Sequence, residues 1–161
     1  MTPSPPGLKL AVTPMSHRHL DQVAAIEQAC FPRPWSRKLF AAEIKHRHAL
    51  PLVALTLPAG LVAGYLCLWL VAGEAQVQNL AVNPAFRRRG VGRLLLLSGL
   101  REAARRGCTE ATLEVRPSNL AARRLYSSLG FGLQGRRPRY YAPEGEDALL
   151  MSLDLGSLPR F

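Results

Sequence analysis

Val82-Asn83-Pro84-Ala85-Phe86-Arg87-Arg88-Arg89-Gly90-Val91-Gly92-Arg93 places two glycines and a run of arginines between two segments of different periodicity. Before it, Ala75 to Val82 reads as a strand that Asn83-Pro84 stops. After it, Gly90 to Arg106 reads as a helix, with Leu96, Leu97, Leu100, Ala103 and Ala104 on one face and Ser98, Arg101, Glu102 and Arg105 on the other. A glycine-bearing turn that feeds a helix start suits a pyrophosphate: glycine lets the backbone approach closely, the first helical amides donate, and the dipole adds its positive end. Arg93 falls on the apolar side of this helix, a poor place for a charge unless the first turn opens onto an anion. On this segment alone, a glycine-punctuated turn with solvated arginines is also open. Neither Gly-x-x-x-x-Gly-Lys-Ser/Thr nor Gly-x-Gly-x-x-Gly occurs, so ATPase and dinucleotide-oxidoreductase chemistry lack motif support.

Working outward, Pro51–Ala72 is uncharged throughout and follows the basic cluster Lys45-His46-Arg47-His48, the pattern of a membrane span. Pro58-Ala59-Gly60 interrupts it as a turn and leaves two runs too short to cross as helices, so two adjacent buried strands are expected. Upstream, a short strand at Leu8–Thr13 precedes a helix at about His19–Cys30; Phe31-Pro32-Arg33-Pro34-Trp35 breaks it, and Ser36 caps a second helix to about His46. Downstream, Gly107 ends the long helix, Thr109–Val115 is a strand, Ser118 caps a helix through Leu129, and Gly130-Phe131 closes that helix. Strands at about Gly132–Tyr140 and Ala148–Leu155 follow. The order predicts an α/β protein: a mixed, partly antiparallel sheet of about seven strands with about four helices. Residues 8–155 form one expected domain, with a disordered tail at 1–7 and a C-terminal tail at 156–161.

The chain has 161 residues, of which 48% are hydrophobic, enough for one core without a disulfide or metal staple. Cys30, Cys67 and Cys108 are too far apart for a disulfide framework or a zinc site, so free thiols in a cytoplasmic protein are expected, with Cys67 in the core and no metal. Met1–Gly7 lacks the order of a secretory signal. Net charge is +10, divided as +3 over residues 1–86 and +7 over residues 87–161, so the second half prefers something anionic. No aromatic-interleaved basic strand or recognised RNA motif accompanies the charge, so no stable nucleic-acid partner is expected, nor a membrane.

With these residues in view, the chain resembles the GNAT family of acetyl-CoA-dependent N-acetyltransferases, whose Arg/Gln-x-x-Gly-x-Gly/Ala loop is matched by Arg87-Arg88-Arg89-Gly90-Val91-Gly92. The likeness extends from about Leu8 to Leu155. Phe31–Ser36, Asn79–Val82, Leu113–Asn119, Leu125–Phe131 and Arg136–Tyr141 resemble the RimI group, which acetylates the N-terminal alanine of a small-subunit ribosomal protein. The resemblance implies a sheet that splays between the strand ending at Val82 and the strand of Glu114, with the pantetheine arm in the gap. Leu80, Ala81 and Val82 would pair with that arm, while Arg87, Arg88, Arg89, Gly90, Val91, Gly92 and Arg93 would hold the pyrophosphate.

The resemblance marks Glu114 as general base and Tyr126 as the acid that protonates the departing thiolate. From spacing alone, Glu114 also reads as an outward strand carboxylate and Tyr126 as a core tyrosine. Asn119 would bind the pantetheine arm or act as a second capping residue after Ser118. Trp35, Tyr140 and Tyr141 would wall the peptide groove or pack in the core or at its rim. An α-amine with pKa near 7.7–8.0 is roughly 10% neutral at pH 7, against well under 0.1% for lysine, which favours an N-terminus as acceptor. Attack is expected to be direct, without an acyl-cysteine, by a monomer or weak dimer. The alternative within the family is a small amine or a lysine side chain as acceptor.

Overall fold

The uncharged stretch folds as two strands joined by a turn. In this computed structural model, which describes residues 8–141 and 143–158, β2 is Ala49–Leu57 and β3 is Val62–Val71. Most of both strands is buried on both faces, so neither shows a polar alternation. The turn closes through Thr56, whose carbonyl accepts from Gly60 N at 2.7 Å and whose Oγ1 accepts from Leu61 N at 3.1 Å; Gly60 supplies the left-handed backbone with φ +73°. Among the described residues no helix is long and apolar enough to cross a membrane.

The remaining elements are β1 (Lys9–Pro14), α1 (Leu20–Cys30, after a 3-10 turn at His17–His19), α2 (Arg37–Lys45), β4 (Glu74–Val82), α3 (Val91–Arg105), β5 (Glu110–Val115), α4 (Leu120–Ser128), β6 (Gly132–Tyr141) and β7 (Glu146–Asp154). The strands form one sheet in the order β1-β2-β3-β4-β5-β7-β6, so β1 and β6 are its edges. β4 pairs with β5 in parallel, whereas β1–β2, β5–β7 and β6–β7 are antiparallel. The expected mixed sheet with four helices is what forms.

Helix ends follow the local chemistry. Ser36 Oγ accepts from Leu39 N at 3.1 Å and caps α2. α3 ends at Gly107 (φ +98°), with Gly107 N bonded to Ala104 O and Cys108 N to Ala103 O. α4 ends in the same way at Gly130 (φ +102°), and the Phe131 ring closes edge-on against Tyr126 at 5.7 Å. Three details differ from expectation. α3 starts at Val91, because Gly90 is left-handed with φ +75°. Ala104 is exposed, lying past the apolar stripe that Leu100 and Ala103 continue. Asn119, and not Ser118, caps α4: Asn119 Oδ1 accepts from Ala122 N at 3.2 Å, while Ser118 is taken up by Glu146. The tails expected at 1–7 and 159–161 lie outside the described residues, and Gly156 and Ser157 belong to a 3-10 turn after β7.

Residue contacts divide the chain into two compact units. The first comprises residues 8–67 and 79–98. Its core packs Leu20, Val23 and Ile26 of α1 and Phe40 of α2 against Val53, Tyr65 and Cys67. Within that core lies Glu27, only 2% exposed. Its carboxyl accepts from the Tyr65 hydroxyl, from Asn79 Nδ2 at 2.7 Å and from Trp35 N at 2.9 Å, and so ties α1, β3, β4 and the α1–α2 linker together. Gly64 of β3 permits a close approach in the same unit: a Cβ there would stand 2.8 Å from Ala81 O and 3.1 Å from Val91 Cγ1. The second unit comprises residues 68–78 and 99–158, with Leu100, Ala111, Leu113, Leu129, Leu149 and Leu153 at its centre.

Replacing Glu27 by the near-isosteric leucine leaves three donors unpaired in the core. Urea unfolding is expected to show a loss of about 3 kcal/mol, while Gly64→Ala costs roughly 1–3 kcal/mol by overpacking. A loss under about 1 kcal/mol for Glu27→Leu contradicts the anchoring role assigned to this carboxyl.

Candidate active site

The loop expected to hold the pyrophosphate is built in the first unit. Asn83 Oδ1 accepts from Ala85 N at 3.0 Å and Pro84 takes the first helical position, giving a 3-10 turn at Pro84–Phe86. Asn83 N bonds to Ala63 O at 2.8 Å and fixes the exit of β4 against β3. Arg88 and Gly90 are both left-handed, with φ +64° and +75°; holding an arginine there costs on the order of 1 kcal/mol. Leu94 N bonds back to Gly90 O at 3.0 Å, so Val91 and Gly92 lie in the first turn, where a helix start leaves amides without intrahelical partners. Arg87, Arg88 and Arg89 are exposed, Arg93 is half-buried, and a Cβ on Gly90 would meet open space. This donor set fits a diphosphate. At the end of β4, Leu80 and Val82 are half-buried and Ala81 is buried. Cys30 Sγ donates to Val82 O at 3.5 Å and Arg87 Nη2 donates to Cys30 Sγ at 3.4 Å.

The second unit holds the carboxylate and tyrosine cluster. The register between β4 and β5 covers Glu74↔Glu110, Ala75↔Ala111 and Gln76↔Thr112, and β5 runs on to Val115 in register with β7. Where β4 and β5 leave register, Val77 and Gln78 stand on one side and Leu113 and Glu114 on the other of a cavity of about 760 Å³. Strand alternation buries Ala111, Leu113 and Val115 and turns Glu110, Thr112 and Glu114 to the opposite face. Thr112 Oγ1 donates to Glu74 Oε1 at 2.5 Å.

Glu114 Oε1 lies 3.2 Å from Arg137 Nη1, and its carboxylate also accepts from the Tyr140 hydroxyl. That hydrogen bond, with burial, raises the Tyr140 phenol above its ordinary value. The Tyr140 and Tyr141 rings meet edge-to-face at 5.0 Å, with the Arg137 guanidinium 5.7 Å over the first and that of Arg116 4.2 Å over the second. Burial, reinforced by the Glu114 charge, pushes Tyr141 up to about 12. Tyr126 is 7% exposed, and burial first and Tyr141 second raise it to about 12.

Glu114, Tyr126, Tyr140 and Tyr141 thus belong to one unit, together with Asn119, whose side-chain oxygen is spent on capping α4. Trp35 belongs to the other unit. Its ring packs against Phe40 at 5.3 Å on the margin of the core. Sequence reasoning placed Arg137 and Arg116 only within segments that resemble the RimI group and gave neither a role. Their ring contacts follow from the β6–β7 register, which residue spacing does not reveal. Among the described residues no group of His, Cys, Asp or Glu could hold a metal ion.

The acetyltransferase (GNAT) family matches residues 20–131 of this chain. The ribosomal protein bS18-alanine N-acetyltransferase of Salmonella typhimurium is 41% identical over 133 residues, which cover 81% of this chain and 87% of that protein. Its Escherichia coli counterpart is 39% identical over 132 residues, with 81% and 87% covered. The crystal structure of the Escherichia coli ribosomal-protein-S18-alanine N-acetyltransferase superposes with a TM-score of 0.82 at 34% identity, covering 95% of this chain and 100% of that one.

The raised phenols make a prediction about alkaline pH. Tyr126 and Tyr141 keep their protons to about 12 when folded, whereas an unfolded tyrosine loses its own near 10. Their contribution to stability is therefore complete below about pH 10 and is lost as pH rises toward 12. Ultraviolet titration should show little tyrosinate at pH 10 in the native protein and about half ionisation in urea. Equal ionisation of the two states at that pH contradicts the burial of these hydroxyls.

Proposed function

Because this chain belongs to the acetyltransferase (GNAT) family, we propose that it moves the acetyl group of acetyl-CoA to the α-amine of a protein N-terminus, that of the alanine-led small-subunit ribosomal protein bS18. The observation that carries this reading is the Glu114 carboxylate opening into the cavity beside the Tyr140 and Tyr141 rings, in a chain about two-fifths identical to enzymes named for that acceptor. The phosphate loop, Arg87–Arg93, takes the diphosphate of the acetyl donor, and Leu80–Val82 take its pantetheine arm. Tyr140 and Tyr141 take the acceptor peptide.

The amine nitrogen attacks the thioester carbonyl carbon, a C–N bond forms and the C–S bond breaks. Glu114 accepts the proton that the amine must lose, directly or through a water, and Tyr126 donates one to the departing sulfur. A phenol near 12 remains protonated until the thiolate leaves. Transfer to the thiolate, whose conjugate thiol has a pKa of about 8.5, is uphill by roughly 5 kcal/mol, well inside the barrier of about 16 kcal/mol for a turnover of about 10 per second. The cysteines offer no competing nucleophile: burial raises the Cys67 and Cys108 thiols, and Cys30 is engaged with Arg87 and Val82.

The test measures thiol release from acetyl-CoA with a hexapeptide beginning in alanine, its N-terminally blocked twin carrying one lysine, and spermidine. Turnover of the free-alanine peptide alone is expected, with kcat lowered about 10²–10⁴-fold by Glu114→Gln and by Tyr126→Phe. Turnover of spermidine or the blocked peptide moves the acceptor to a small amine or a lysine. A Glu114→Gln enzyme with unchanged kcat removes Glu114 as base.

A further inference from the structure

A second cluster of the same unit lies beside the candidate site and is not used by the chemistry above. Arg116 follows β5, and Glu144 and Glu146 lie in the turn between β6 and β7 and at the start of β7. Arg116 Nη1 is hydrogen-bonded to Glu144 Oε1 and lies 3.4 Å from Glu146 Oε1. Glu146 in turn accepts from Ser118 N at 2.9 Å and from Ser118 Oγ at 2.8 Å, immediately before the cap of α4. The flat face of the same guanidinium covers Tyr141, which is registered opposite Glu146. One arginine therefore meets the hairpin at both its carboxylates and its aromatic ring, and one glutamate meets the start of the helix that carries Tyr126.

We infer that Arg116 and Glu146 are positioning residues for acceptor recognition. They act as a latch that holds the β6–β7 turn on the start of α4 and fixes the Tyr141 ring in the cavity wall next to Tyr140 and Glu114. The inference rests on the reading of Tyr140 and Tyr141 as the acceptor wall. Both carboxylates converge on one guanidinium, and Glu146 also takes two donors from Ser118, so the contact is a network of charge-assisted bonds and not a lone surface ion pair. The geometry requires a guanidinium in particular: the planar group stacks on the ring while its edge meets the carboxylates, which an ammonium cannot do. Loosening the latch frees the Tyr141 side of the wall without touching Glu114, so its signature is weaker acceptor binding with the chemical step largely kept.

Steady-state kinetics on the intact chain with the free-alanine peptide, using Arg116→Leu, Glu146→Gln, the double variant and Arg116→Lys, test this. For either single variant the peptide KM is expected to rise about tenfold, with kcat and the acetyl-CoA KM held within about threefold. The double variant should be no worse than the worse single, and Arg116→Lys should restore only part of the loss. An unchanged peptide KM, an equal fall in kcat, or additive losses in the double variant overturns the latch. Hydrogen exchange of Ser118 and of residues 143–147 supplies a readout independent of turnover. Exchange there should quicken about tenfold or more in Glu146→Gln while β5 stays protected. Unchanged exchange, or loss of protection throughout β5, overturns the proposal. A wild type that acetylates no peptide overturns the acceptor reading, and exchange then decides the latch alone.

Discussion

Parallel pairing of β4 with β5 is the constraint from which the functional architecture follows. Two parallel neighbours cannot be joined by a tight turn, so the chain must travel through residues 83–109 and return, and it does so as α3. A crossover helix begins where the preceding strand ends. The first-turn amides of Val91 and Gly92 thereby lie just beyond Val82. Gly64 and the left-handed residues 88 and 90 are the local concessions that make this start possible: the first lets Val91 lie close to the sheet, and the others aim the loop.

Three glutamates show how surroundings divide one side-chain chemistry into separate tasks. Glu27 is sealed in the first unit among a phenol, an amide and a backbone N–H; its work is structural, and it ties down the linker that carries Trp35. Glu146 is part-exposed and charge-paired, and Ser118 first and Arg116 second hold its carboxyl below the usual range, the condition of a permanent anion. Glu114 alone stands in an open cavity, beside groups that touch its oxygens without enclosing them.

Elements whose chemistry is local were legible from residues in order. Pro58–Gly60 broke an apparent span into two strands, Ser36 capped α2, and Gly107 and Gly130 closed their helices, because each rule acts within a few residues. The cap of α4 falls on Asn119, where residue order favours Ser118. Two adjacent residues could both cap, and the choice was made by Glu146, far along the chain. The same distance hid Glu27: in sequence it is one position of an amphipathic helix, and its partners Tyr65 and Asn79 come from two strands. Glu114 and Tyr126 could be picked out only through their resemblance to a family motif. Alternation on β5 and the apolar stripe of α4 leave each with an ordinary alternative.

The outer strand of the sheet bears on how copies of this protein meet. β6 is an edge, exposed along nearly its whole length, and an exposed edge invites another strand to zip onto it. Pro138 has no N–H to offer such a strand. The register slips between Arg137 and Tyr141, where Arg139 is left-handed with φ +51° and its N–H is already bound by Asp147. Arg136, Arg137 and Arg139 would also confront their own charge in a second copy laid alongside. These features oppose strand addition along the part of the edge that carries Tyr140 and Tyr141.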